Sequence, residues 1–350
     1  MDYTKEINKF TRAFKNIVNG LNADVTTNKK LIQAQTEKFQ DEIKRLEDQI
    51  GTPPPIEQPK FLGFGKNATG GNGGEVVRVK NRAEVLAAIA TEQPKIISLV
   101  NDIDLSANQI NFRYPNKTTK MNGFSFYNNM VTVDAKNQYF ENGGFDGGNQ
   151  TKDDALQLNA WGTSLVEDVY FKNCDIKNGN DESLSLRKSS GATLRKVTFD
   201  KCKITNNVGR YGTLQSGGVT DITYFMCYLN SPERNVRSKK TDSSLGLSFE
   251  MINCIIKDYQ YATAIEFGNA FSVINCLYDS LNAKGYLVDS IHKENGIKEN
   301  TRAYFTGCHS VQGATIESDL KPYLIDTPFK SSGITPINAK DIDINLIGIV

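Results

Sequence analysis

A mainly β chain, wound as a parallel β-helix and preceded by an α-helical, coiled-coil-like segment, is the fold predicted by the sequence. Two observations carry it. First, six short phrases of one pattern recur: "VYFKNCDIKN", "VTFDKCKITN", "ITYFMCYLN", "FEMINCIIKD", "FSVINCLYD" and "AYFTGCHSV", each an alternating β-rich run with a cysteine in the same phase. The cysteines are Cys174, Cys202, Cys227, Cys254, Cys276 and Cys308, with successive separations of 28, 25, 27, 22 and 32 residues. Repeats of this length, built from short strands and polar Asn/Gly turns, suit a solenoid in which each repeat is one coil. Equivalent residues then stack at strand spacing, about 4.8 Å apart. Second, the helical period is concentrated in the first 50 residues.

In residues 1–50 the apolar positions Ile7, Phe10, Phe14, Ile17 and Leu21 advance by alternating steps of 3 and 4. Ile32, Phe39, Ile43, Leu46 and Ile50 continue the step, with Thr36 between the first two. These are heptad seams whose register shifts by one around "NGLNADVTTN". They predict either one broken coiled coil or a helical hairpin, serving as a self-associating, trimeric stalk or as a helix pair packed on the next domain. "GTPPPIEQP" supplies a stiff linker over 51–60, and 61–350 form the β-helix domain. That domain opens with the glycine-rich "FLGFGKNATGGNGG", a strand and a short helix at roughly 82–91. The loop does not run directly into a helix and has no Walker lysine, which argues against a phosphate-binding loop.

Composition excludes several function classes. The 41 basic and 40 acidic side chains nearly cancel, so no global field favours nucleic acid or an anionic membrane. No apolar run reaches the roughly 18 residues of a membrane span. The opening "MDYTKEINKF" lacks the apolar core of an export signal. The cysteines form no CxxC pair, and His292 and His309 have no ligand spacing with them. Buried, reduced thiols acting as small hydrophobes are expected. Phe171, Phe199, Tyr224 and Phe249 recur with the cysteines and are expected to stack in the core rather than to serve as sugar platforms.

The order of glycine-rich stretch, Val-rich strand, short helix and first coil resembles the pectate lyase family over about residues 61–340. That resemblance implies a right-handed parallel β-helix that binds an acidic polysaccharide through calcium and removes the C5 proton of a uronate with an arginine base. The chemistry makes clear demands: cations must neutralise the adjacent carboxylate and the developing enolate-like charge. An arginine can serve as base only where other positive charge lowers its proton affinity.

The resemblance can be carried over residue by residue. "DALQL" makes Asp154 a metal ligand; "DESLSL" makes Asp181 another, with Ser185 where a second carboxylate is expected. "RYGTLQS" puts Arg210 in the place of a lysine, and "ITYFMCYLNSPERNVR" aligns Arg234 with the catalytic base and Arg237 with the second arginine. Lys172 and Asn173 replace the family's Asp-His. Lys239 and the lone Trp161 are the candidate substrate contacts. The functional expectation is a lyase acting on a uronate-containing surface or cell-wall glycan; the alternative is a non-catalytic glycan-binding adhesin on the same scaffold. The layout of helical segment, proline linker and β-helix without an export signal resembles that of bacteriophage tail spikes. It implies virion or extracellular location, attachment through residues 1–50, and no nucleic acid or membrane partner.

Overall fold

The computed structural model describes residues 61–148, 154–209, 211–239, 247–258, 261–265, 269–280 and 301–311, most of 321–339, Ile342, and the isolated Gln35 and Lys38. The chain divides into two units, Met1–Lys60 and Phe61–Val350. The heptad and stalk expectations for 1–50 and the linker at 51–60 lie outside the described residues, apart from Gln35 and Lys38, both helical.

The second unit is a right-handed parallel β-helix of about seven turns, with its long ladders all parallel. Three ladders run along it. One starts at Glu75–Val79 and ends at Arg302–Thr306; a second runs from Ile103–Asp104 to His309–Ser310. Gln138–Asp146 and Leu165–Lys177 are long enough to take part in both. The third is a separate seven-stranded sheet: Ile110–Phe112, Val131–Val133, Leu156–Ala160, Glu182–Lys188, Tyr211–Ser216, Arg234–Lys239 and Tyr261–Ile265. Side chains alternate across each strand. Leu156, Leu158, Leu184, Leu186 and Val236 of this third sheet therefore enter a continuous core with Phe140, Phe171 and Phe199.

The Asn-Cys phrase has a backbone explanation. The residue before each cysteine lies in the left-handed region: Asn173 (φ 50°), Lys201 (53°), Met226 (51°), Asn253 (54°), Asn275 (49°) and Gly307 (62°). Each marks the bend from the first ladder into the second. Asn and Gly visit this conformation at low cost, other residues less readily. The cysteine then turns inward, and its thiol donates to a carbonyl of the preceding coil: Cys202 to Phe171 O, Cys227 to Phe199 O, Cys254 to Tyr224 O and Cys276 to Met251 O. All six are free, and all but Cys308 are buried. They are small core residues as expected, with a sulfur hydrogen bond added.

Phe140, Phe171, Phe199 and Tyr224 form a parallel stack with centroids 4.9, 4.9 and 5.2 Å apart. Phe249 does not continue it. Tyr224 pairs in register with Met251, and Phe249 lies one inward position earlier, beside Ile222. There it starts a second stack on Phe271, 5.5 Å away. The expectation that Phe249 shares the phase fails because five residues, not three, separate it from its cysteine.

The glycine-rich opening is a strap laid along the outer face of the first ladder. Phe64 N donates to Thr223 Oγ1, Gly65 N to Thr198 Oγ1, Thr69 N to Asn137 Oδ1 and Gly71 N to Thr118 Oγ1, so the eight residues of strap from Phe64 to Gly71 cross several coils. Close approach demands glycine. A Cβ on Gly65 would lie 2.5 Å from Val169 O, and one on Gly71 would lie 1.9 Å from Lys95 O. The strap buries the hydroxyls of Thr118, Thr198 and Thr223, which therefore sit as dry as core residues. Helix α1 (Arg82–Ile89) follows, two residues shorter than its sequence range. Asn81 caps it by accepting from Glu84 N, and Val85, Ala88 and Ile89 close the end of the core.

Candidate active site

The seven-stranded sheet carries charged residues at the starts of its strands and on its outer face. Its register places Glu182, Tyr211 and Arg234 in one column, Gln157, Ser185, Leu214 and Arg237 in the next, and Asn159, Arg187, Ser216 and Lys239 in a third. At strand spacing, Arg234 is two coils, about 10 Å, from Glu182.

One end of this face holds a buried ion cluster. Asp154 and Glu182 keep 1% and 3% of their side-chain surface exposed, and both are bridged by Arg187. Arg187 Nη2 donates to Asp154 Oδ2 at 3.2 Å, to Glu182 Oε2 at 3.4 Å and to Ser185 Oγ at 3.1 Å. Asp154 also accepts from Glu182 N and Gln157 Nε2, each at 3.2 Å. Burial pushes the proton affinity of Asp154 up while Arg187 opposes it. Burial, then the neighbouring Asp154 and Asp181, push Glu182 up to about 8. Three sets of donors oppose the upward push on Asp154, and Glu182 keeps its proton at neutral pH.

Farther along lies the arginine pair. The Arg234 guanidinium covers the Tyr211 ring with its carbon 3.6 Å from the centroid, a desolvated cation–π contact. Its Nη1 is 4.0 Å from Glu233 Oε1. Burial, and next the charge of Arg237, lower the proton affinity of Arg234. Arg237 is half-buried in the adjacent column and Lys239 is exposed.

The residues singled out from sequence separate into groups. Asp154, Arg234, Arg237 and Lys239 come to this one sheet. Asp181 is exposed, immediately before the strand that carries Glu182. Trp161 is 59% exposed, in the turn that follows Leu156–Ala160, at the opposite end of that strand from Asp154. Arg210 lies outside the described residues. Lys172 is half-buried on the first ladder, and Asn173 is a bend residue whose Nδ2 donates to Asn142.

Calcium does not fit the residues as they stand. It takes about six to eight oxygens at about 2.3–2.6 Å. Here a guanidinium already bridges Asp154 and Glu182, and Ser185 gives a neutral hydroxyl that accepts from the same cation. Among the described residues no group of three acidic, His or Cys side chains is arranged to hold a metal.

Glu182, Arg187 and Tyr211 are site residues that the sequence reading missed. Strict alternation would put Glu182 on the side of Leu184 and Leu186; at the strand's first residue, beside the Asp181 turn, its carboxylate meets Arg187 instead. The signal available was "DESLSLRK", in which Ser185 and Arg187 fall on one face.

No protein-family model matches the chain, and no curated protein matches it. Solved structures do. A pectate lyase from Bacillus sp. N165, determined with trigalacturonate, aligns with a TM-score of 0.63 at 16% identity, over 82% of this chain and 97% of that one. Jun a 1, the major cedar pollen allergen, aligns at 0.56 with 12% identity, over 83% and 93%. A Bacillus subtilis pectate lyase variant aligns at 0.50 with 13% identity, over 84% and 97%. At these identities the likeness is one of fold, and it agrees with the coil register, the glycine strap and the capping helix: the chain folds as a pectate-lyase-like right-handed parallel β-helix.

Proposed function

We propose that this protein binds an acidic polysaccharide along the outer face of its seven-stranded sheet and cleaves it by β-elimination. The observation that carries the reading is the state of Arg234. Its guanidinium is nearly buried, stacked on Tyr211, and made less basic by its burial and by Arg237. Those are the conditions under which an arginine can take a proton. In the reaction Arg234 accepts the C5 proton of a uronate. The C–H electrons form the C4–C5 double bond, and the C4–O4 bond breaks with its electrons going to O4, which is protonated from solvent. Arg237, in the adjacent column, stabilises charge on the uronate carboxylate, and Lys239 extends the positive face. The bound trigalacturonate of the Bacillus sp. N165 enzyme supports an acidic oligosaccharide as the ligand class. Presentation as a virion tail spike rests on the sequence layout of residues 1–60.

The test is incubation with polygalacturonate and with acidic capsular glycans, reading the absorbance of the unsaturated product, for the parent and for Arg234→Lys. Product from the parent and a loss of at least about 100-fold in the variant is expected, the scale of general-base catalysis. Binding without product in the parent would replace the lyase reading with that of an adhesin. Neither binding nor product on any acidic glycan would overturn both.

A further inference from the structure

The cation between Asp154 and Glu182 is covalently part of the chain. All four of its contacts with Asp154, Glu182 and Ser185 are made by Nη2 of Arg187. Nη1 takes part in none of them, and the side chain keeps 33% of its surface exposed. A guanidinium is planar, with five donors in a fixed fork, so pinning one nitrogen on two buried acids also fixes the direction of the others. The neighbours across the coils are basic or neutral: Ser216 and Lys239 continue the column of Arg187, and Arg237 stands one column over. An anion approaching this face meets Arg187 already ordered, with its rotamer entropy spent on internal acids rather than on the ligand.

We propose that Arg187 is a fixed cation that binds the carboxylate of a uronate residue directly, so that this protein takes acidic glycans without a divalent metal. The inference rests on the acidic-glycan reading above and specifies how the carboxylate is held. Three features agree with it. The guanidinium is where two acids converge, so a metal there would have to displace it. Ser185 leaves a donor set too neutral for calcium. Carboxylate and guanidinium are also complementary in charge, and Nη1, which none of the internal contacts uses, lets Arg187 join a protein acid to a ligand acid through its two terminal nitrogens.

The experiment is calorimetric titration of the parent and of Arg187→Lys with trigalacturonate, alginate oligosaccharides and hyaluronan oligosaccharides, each with excess EDTA and with excess calcium chloride. Lysine keeps the charge that pairs with Asp154 and loses the second terminal nitrogen, so the variant retains its fold, checked by its melting temperature. Expected is binding of at least one uronate by the parent with the same affinity in both buffers, and weakening by about tenfold or more, roughly 1.4 kcal/mol, in Arg187→Lys. Binding that appears only with calcium, or parent affinity in the lysine variant, overturns the inference and leaves the acidic-glycan reading standing. Absence of binding to every uronate in both buffers overturns the reading and the inference together. A calcium-dependent rise in the melting temperature of the parent without any glycan is a separate result against it.

Discussion

Replacing Arg187 with methionine should make the stability of the β-helix strongly pH-dependent. The side chain of similar length keeps much of the packing and removes the charge shared by Asp154 and Glu182, whose side chains are 1% and 3% exposed. Breaking a buried pair by removing one partner costs about 3–5 kcal/mol. Arg187 is itself one-third exposed, and Glu182 already holds a proton at neutral pH, so we place the loss near the lower limit, about 3 kcal/mol at pH 8. The sign follows from linkage. Arg187 opposes the upward push on both carboxyls; without it their folded-state proton affinities rise further above the unfolded values. The folded state then binds more protons than the unfolded state, so stability falls as pH rises through the window from about 4.5 to 8. The parent should already fall through the same window, because the proton affinities of both Glu182 and Asp154 lie above their ordinary values, and the variant should fall more steeply. Urea unfolding at pH 5, 6.5 and 8, with m held common, measures the difference. Adding Glu182→Gln to the variant removes one of the two acids and should flatten the curve. An equal loss at all three pH values, or no flattening in the double variant, would refute the shared-cation account.

Two further outcomes test the scaffold. Phe199→Ala removes the middle of the aromatic stack, between Phe171 at 4.9 Å and Tyr224 at 5.2 Å; a loss of about 3–5 kcal/mol in urea unfolding is expected, because the flanking coils cannot collapse onto the gap. Met226→Asn should stabilise by about 1 kcal/mol in the same measurement, since Met226 holds φ 51° in a half-buried bend where its relatives Asn173, Asn253 and Asn275 stand.

The fold was legible because the repeat is physical as well as textual. A bend residue with positive φ and a cysteine after it recur in six coils, and in three successive ones an inward aromatic, Phe171, Phe199 or Tyr224, stands three positions before the cysteine; each leaves a sequence trace. Phe249 shows the limit: it matches in residue type and differs in register, and only strand pairing distinguishes Ile222 from Tyr224 as its neighbour. The site was half legible. Arg234 and Arg237 follow a motif within one strand. The partnership of Arg187 with Asp154 spans 33 residues and depends on two coils being in register, and that of Glu182 depends on a departure from alternation at the start of its strand. Beyond the shared face of Ser185 and Arg187 in "DESLSLRK", neither leaves a local pattern.

This division explains how a chain 16% identical to a pectate lyase can share its fold over most of its length. In a solenoid the inward positions and the bends carry the folding code, because each coil needs only to match its two neighbours. The outward columns of the seven-stranded sheet are held by backbone pairing whatever side chains they bear. Outward residues such as Gln157 and Leu214, Arg237 and Lys239 could therefore change one at a time with little penalty to the stack of Phe140, Phe171, Phe199 and Tyr224 beneath. A guanidinium held between two acids, as Arg187 is between Asp154 and Glu182, is a feature of that kind. Its spacing from Arg234 is set by the strand repeat, whatever the neighbouring outward residues become.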